Sequence, residues 1–358
     1  MRRTISLLQT MIRAALFAFC VSRASLAQNA RPTPVSDEHS GWVQVPGMLT
    51  KVECVHEIPK GAHLEIKEGT FTGDVTLDGI LIAHYDRCST TPILTRPVGH
   101  TTGSGSGGAS PDFFGAPPPP GPLPPPPGKN PPPPPVGDGW VEAVQKDLSL
   151  ASGDNIDYLA GNWTVPENPT AGGALIYLWN GIEPTPYGTW VVQPVLQWGN
   201  NGMFGNREGW VISSWLWGSN GTMVHTTPEP VSPGDQIRGT TWITNQVNLG
   251  PIWAPNYALS WQVNTADYTN EASTSLSVTT GGLQWNLAYA GVLEAYNLTA
   301  CSQFPASGAT VFNYSSVYHG YPSYVLDETP WVPQYYPYGG PGCEFDATVD
   351  GDTGTLDY

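Results

Sequence analysis

From Trp140 to the C-terminus, runs rich in β-branched and aromatic residues are separated by short gaps of Gly, Pro and Asn. The runs are "GALIYLWNG", "TWVVQPVLQWG", "GWVISSWLWG", "QIRGTTWIT", "NYALSWQVN", "TSLSVTT", "LQWNLAYAGVLEAY" and "ATVFNYSSVY". Their length and composition suit strands, and the region carries no helical period. Turn residues punctuate them, as at Ser232-Pro233-Gly234-Asp235. Closely spaced strands without helices predict an all-β domain over 139–358, an antiparallel two-sheet β-sandwich.

Upstream the pattern changes twice. Residues 36–96 hold "AHLEIKEG", "GDVTLDG" and "ILIAHYDRC", which alternate polar and apolar positions between glycines. They predict a small β-rich module. Residues 97–138 run from "TTGSGSGGAS" into "PPPPGPLPPPPGKNPPPPP", a flexible stretch followed by polyproline II. The proline stretch reaches on the order of 60 Å at about 3.1 Å per residue, and such a linker is a target for proteolysis. At the start, Arg2 and Arg3 precede a short apolar run at 14–21 and a small-residue site, Ser25-Leu26-Ala27. Residues 1–27 therefore read as a signal peptide, the apolar run being far below the roughly 20 residues that span a bilayer. The expectation is a secreted protein, extracellular or periplasmic, with no membrane association after signal cleavage, and a monomer.

Cysteine usage fits export. Beyond Cys20 in the signal, four remain: Cys54, Cys88, Cys301 and Cys343. Of the three possible pairings, 54–88 and 301–343 are local and stay within one composition block; free thiols are the alternative. A bridge would help the small module, whose core is limited. None has the CxxC spacing of a zinc or redox site.

Charge divides the chain. Residues 1–146 hold 12 Lys/Arg and 12 Asp/Glu, whereas 147–358 hold only Arg207 and Arg238 against 18 Asp/Glu. Such a surface repels phosphate backbones, which argues against nucleic acid as a partner. It also suits acid, where protonated carboxylates would leave little positive self-repulsion.

Several chemistries lack their residues. The large domain has only two histidines, His225 and His319, no GxSxG elbow and no glycine-rich phosphate loop. In the module, His56, Glu57 and His63 do not form HExxH and read as surface or structural. No metal and no cofactor is implied, so hydrolytic chemistry would rest on carboxylates and amides. Gln193 and Gln197 sit four apart in an apolar strand and so share one face. Buried amides need partners; amides lining a cleft can hold a substrate. Glu183 in "LWNGIEP" and Glu294 in "AGVLEAY" are acids inside apolar runs, either turned to solvent or placed for acid–base work.

The order of motifs adds to this. "GNWTVPENP", "LWNGIE", "VLQWG", "WVISSWLW", "PGDQI", "VLEAYN" and "SGATVF" resemble, in sequence over roughly 155–315, the motifs of the glutamic peptidases of the eqolisin family. That family shows T-x-T-V-P, W-V-G-I-D, L-Q-x-G, W-Y-E-W, G-D-x-I, A-E-W-I-V-E and F-G-x-V-x-F. The resemblance implies a concanavalin- or jelly-roll-like sandwich, a secreted acid endopeptidase and a polypeptide substrate. It carries the catalytic glutamine onto Gln197 and the acid of the W-V-G-I-D motif onto Glu183. Gln193 has no counterpart. An ungapped count aligns Ala290 with the catalytic glutamate and Glu294 with the second; a gap of about four residues puts Glu294 on the catalytic position. A regular strand would turn both positions to one face. Glu294 is the only acid between Glu271 and Asp327 and is the expected partner of Gln197. Leu216 stands where the aromatic motif has its glutamate. Trp179, Trp198, Trp215 and Trp217 join Glu183 as expected substrate-binding residues; Trp190 and Trp210 suit subsites or core equally.

Two other functions fit the same strands: a carbohydrate-binding, lectin-like sandwich, and a glycosidase using Glu183 and Glu294 as its two carboxylates. The module reads either as an inhibitory propeptide or as an accessory module. The sequence favours the second, since a long linker is a weak tether for an inhibitor.

Overall fold

A computed structural model describes residues 41–358 except 68–71, 96–138, 186–187, 205–207, 219–220, 222, 252–255 and 337–339. The signal peptide, residues 36–40 and the linker lie outside the described residues. The described chain is built of strands, with two short 3-10 turns and no α-helix. The module contributes β1 (Trp42–Val45), β2 (Met48–Lys51), β3 (Val55–Ile58), β4 (His63–Lys67), β5 (Thr72–Leu77), β6 (Ile80–Tyr85) and β7 (Ile93–Leu94). The larger part begins with β8 (Gly139–Asp147), β9 (Ile156–Thr164), β10 (Leu175–Thr185), β11 (Trp190–Trp198), β12 (Trp210–Gly218), β13 (Met223–Thr226) and β14 (Glu229–Val231). It continues with β15 (Gln236–Asn248), β16 (Tyr257–Asp267), β17 (Ser273–Thr280), β18 (Gln284–Tyr296), β19 (Ala309–His319), β20 (Val325–Leu326), β21 (Val332–Tyr335), β22 (Asp346–Asp350) and β23 (Thr353–Asp357).

Two large sheets form the expected sandwich. One has nine strands, ordered β21-β8-β18-β10-β11-β12-β13-β3 with β14 beside β12. The other has eleven, ordered β22-β23-β19-β9-β15-β16-β17-β4-β5-β6 with β20 beside β19. Within the larger part the pairs are antiparallel; the module joins by two parallel pairs, β3 on β13 and β4 on β17. The module therefore lengthens both sheets.

Alternation sorts the side chains. On β10, Ile176, Leu178 and Ile182 enter the core between the sheets, with Leu196, Ile212, Leu216, Trp261 and Trp285. Leu175, Tyr177 and Trp179 point the other way, onto the outer face of the nine-stranded sheet, with Val191, Val195, Trp215 and Trp217. That face is covered too. A third, three-stranded sheet, β1-β2-β7, lies over it and adds Val43, Val45 and Met48 to its apolar cluster. Every residue of β11 and β12 is consequently buried, which is why these segments read as apolar runs interrupted by Gln193, Gln197, Ser213 and Ser214.

Both local disulfides form, Cys54–Cys88 inside the module and Cys301–Cys343 inside the larger part. They fit an oxidising compartment. Among the described residues no helix is long and apolar enough to cross a membrane.

Candidate functional site

The outer face of the nine-stranded sheet gathers the candidate residues through register. Glu294 on β18 is opposite Tyr177 on β10, which is opposite Gln197 on β11. Directly paired residues share a face, so the three side chains form one row. Two strand spacings put the Cα atoms of Glu294 and Gln197 roughly 10 Å apart.

Glu294 is 0 % exposed and fully hydrogen-bonded. Trp179 Nε1 donates to Oε1 at 2.7 Å, and Oε2 accepts the Tyr296 hydroxyl at 2.7 Å and the Gly47 backbone N–H at 2.7 Å. Burial pushes its pKa from 4.5 up to about 7, against the pull of these three donors. Burial also drives the Tyr177 and Tyr296 phenols well above their ordinary value, and the Glu294 charge adds to both shifts. Tyr296 exchanges a hydrogen bond with Thr95 Oγ1 at 2.8 Å.

Gln197 is held by its own loop. Its Nε2 donates to the Gly199 carbonyl at 2.9 Å, and Asn201 Nδ2 donates to its Oε1 at 3.3 Å. A carboxamide nitrogen has two hydrogens, and among the described residues one of them has a hydrogen-bond acceptor. Gln193 lies on the same face, buried, and neither amide atom has a partner among the described residues. An unsatisfied buried amide costs about 1–3 kcal/mol.

Glu183 sits further along β10. Its Oε2 accepts the Tyr289 hydroxyl at 2.5 Å, and its Oε1 accepts the Gly188 N–H. Tyr289 packs edge-on against Trp179, ring centroids 5.4 Å apart. Two aromatic rings thus fill the space between the Glu183 and Glu294 carboxylates. A glycosidase pair needs open space for a sugar and about 5–10 Å between carboxyls, so the two-carboxylate alternative loses its geometry.

The tryptophans divide by parity. Trp179, Trp215 and Trp217 are on the face with Glu294; Trp215 Nε1 donates to Ser213 Oγ at 2.6 Å. Trp198 is on the opposite face of β11 from Gln197. It packs on Trp210, centroids 5.4 Å apart, and borders a separate surface pocket of about 460 Å³ with Glu208 and Asn200. Trp190 and Trp210 also lie in the inter-sheet core. The expectation that Ala290 and Glu294 share a face fails, because a β-bulge between Tyr289 and Gly291 shifts the alternation. Ala290 points into the core and only Glu294 faces Gln197's side.

Tyr177, Tyr289 and Tyr296 complete the site without a motif that points to them. Their signal was available: Tyr177 is two residues before Trp179, and Tyr296 two after Glu294, each on the same face. Gly181, in the "LWNGIE" motif, has a packing reason. A Cβ there would lie 2.6 Å from the Val192 carbonyl oxygen, 3.0 Å from the Trp179 ring and 3.2 Å from Gln193 Cβ. Gly181→Ala is expected to cost about 1–3 kcal/mol and to lower Tm by about 3–10 °C, as measured by calorimetry.

No protein-family model matches the chain, and no curated protein matches it. Solved structures do. Scytalido-glutamic peptidase with a transition state analog inhibitor is 17% identical, with a TM-score of 0.41, over 62% of this chain and 99% of that one. The same peptidase with a peptide-based transition state analog gives the same figures. Aspergilloglutamic peptidase from Aspergillus niger is 14% identical, with a TM-score of 0.30, over 51% of this chain and 98% of that one.

Proposed function

We propose that this chain is a secreted acid endopeptidase in which Glu294 and Gln197 act on a water molecule and a peptide bond. One observation carries the reading: the site already holds a peptide backbone. Glu294 accepts the N–H of Gly47, and the Tyr177 hydroxyl donates to the Gln44 carbonyl at 2.9 Å. The row of Glu294, Tyr177 and Gln197 thus offers an acceptor for a backbone N–H and donors for backbone carbonyls. The order of motifs that resembles glutamic peptidases supports the same reading.

The chemistry runs as follows. Ionised Glu294 takes a proton from water as the oxygen attacks the scissile carbonyl carbon. The second Gln197 N–H donates to the oxygen as it becomes an oxyanion. Glu294 then returns the proton to the departing amine nitrogen as the C–N bond breaks. Trp179 and Tyr296 hold the carboxylate in place. With the face covered, Glu294 keeps its proton below about pH 7. Hydration on opening returns it toward 4.5, so turnover is expected in weak acid.

The test is digestion of an unfolded protein substrate across pH 2–7, with fragments identified by mass spectrometry, in a chain whose hairpin has been opened as described below. Gln197→Ala is expected to lower kcat about 10²- to 10³-fold with little change in KM. Cleavage unaffected by this substitution would remove Gln197 from the mechanism. Glycan binding with no cleavage at any pH would favour the lectin-like alternative.

A further inference from the structure

The hairpin β1–β2 lies on the candidate site itself. Pro46 and Gly47 form its two-residue turn, Val45 pairing with Met48. Its apolar side is buried: Val43, Val45 and Met48 all join the cluster of Trp179, Trp215 and Trp217. Gly47 has φ 86° and is pressed on Trp217. A Cβ there would lie 2.7 Å from Trp217 Nε1 and 2.9 Å from Cε2. Only glycine fits both the turn and the ring. The polar contacts fall on the catalytic row, Gly47 N–H to Glu294 and Gln44 carbonyl to Tyr177, while Asn297 Nδ2 donates to Gln44 Oε1 at 2.9 Å.

Resting on the peptidase reading, we propose that residues 42–51 are an intramolecular inhibitor that occupies the substrate's place over Glu294. The hairpin stands where a substrate backbone would: it takes one oxygen of the carboxylate, presses Gly47 on Trp217 and joins the apolar cluster of Trp179 and Trp215. A long linker alone would hold such an inhibitor weakly. Here the sheets hold it, through β3 on β13 and β4 on β17, with His63 bonded to Ser277 Oγ at 2.7 Å and to Thr279 Oγ1 at 3.0 Å. Neither disulfide crosses from the module to the larger part, so the backbone through 96–138 is the covalent tie. The same contacts describe what the open face accepts: an extended segment with large apolar side chains on either side of a glycine.

Two full-length variants test this. Gly47→Ala puts a methyl group into the Trp217 ring, and Met48→Asp puts a charge into an apolar contact. Hydrogen exchange of residues 42–51 and of 294–296 reports whether the face opens; cleavage of an unfolded protein at one fixed pH reports activity. Both variants are expected to lose protection over 42–51 and to cleave at least tenfold faster than the unaltered chain. Cleavage at the same rate by all three chains overturns the proposal and leaves the peptidase reading standing. Loss of protection with no cleavage by any chain overturns instead the peptidase reading on which the proposal rests.

Discussion

Glu294→Gln is expected to remove peptide-bond hydrolysis, by about 10²- to 10⁴-fold or to the detection limit, while the sandwich still folds. A carboxamide cannot take a proton from water and return it to an amine. It also cannot copy the hydrogen bonding. Oε1 faces the Trp179 N–H, and Oε2 faces the Gly47 N–H and the Tyr296 hydroxyl. A glutamine has one oxygen and one NH2 group. If its oxygen meets Gly47, its NH2 meets the Trp179 N–H; if turned, its NH2 meets the Gly47 N–H. Either way one donor faces another, so the hairpin should loosen as activity disappears. The pairing of greater hydrogen exchange over 42–51 with lost turnover distinguishes this outcome from simple misfolding. The measurement is kcat in the Gly47→Ala background. A rate within tenfold of that parent would show that Glu294 is not the acid–base group.

Acid should act in opposite senses on the sandwich and on the seam that holds the module. Two carboxylates buried in the sandwich titrate far from their ordinary range. Burial raises Glu142 to about 8, with Asp357 and Asp346 adding repulsion, and neither of its oxygens has a partner among the described residues. Burial raises Asp157 to about 7, with Asp154 adding to the rise and His319 opposing it. A raised carboxylate contributes stability that is complete below its unfolded value and is lost as pH rises through its folded value. Each unit is worth about 1.4 kcal/mol, so the sandwich should gain several kcal/mol, on the order of 5–10 °C in Tm, between pH 8.5 and pH 5.

The seam carries the opposite sign. His56, His63 and His225 lie where the module meets the sandwich, and each has its pKa lowered by burial. His56 stacks on Tyr85, centroids 3.9 Å apart, and is further lowered by His225. Glu65 faces His63, and Glu57 faces His225; both raise the imidazole beside them without overcoming burial. His225 packs against Phe204 and Trp215. A lowered histidine contributes stability that is present above about 6.5 and is lost as pH falls below it. Glu294 opposes this with one proton of the other sign. The expected result is that protection over the seam strands β3 and β4 falls between pH 7 and pH 5 while Tm rises, the Glu294 proton working the other way on the hairpin. A Tm that falls over that range, or seam strands that become better protected, would contradict the assignment.

Much of this is legible in the unfolded chain. Strand-length apolar runs and turn residues dictate a sandwich, because no helical period competes with them. Local cysteine spacing was enough for both disulfides, since each joins residues within one folded block. Gln197 and Glu294 were legible as an amide and a lone acid in apolar strands, and strand parity put Gln193 beside Gln197.

Parity could not say which face was which. Because the module covers the outer face, both sides of β10, β11 and β12 are apolar, and Trp198 reads like Trp215 although the two point oppositely. The bulge near Ala290 depends on how β18 pairs with β8 and β10, which no local pattern encodes. The contact between Gly47 and Glu294 spans 247 positions. Only tertiary structure brings a glycine turn onto that carboxylate, because the docking that does so is driven by two sheet edges and an apolar face, none of which exists until the sandwich has formed.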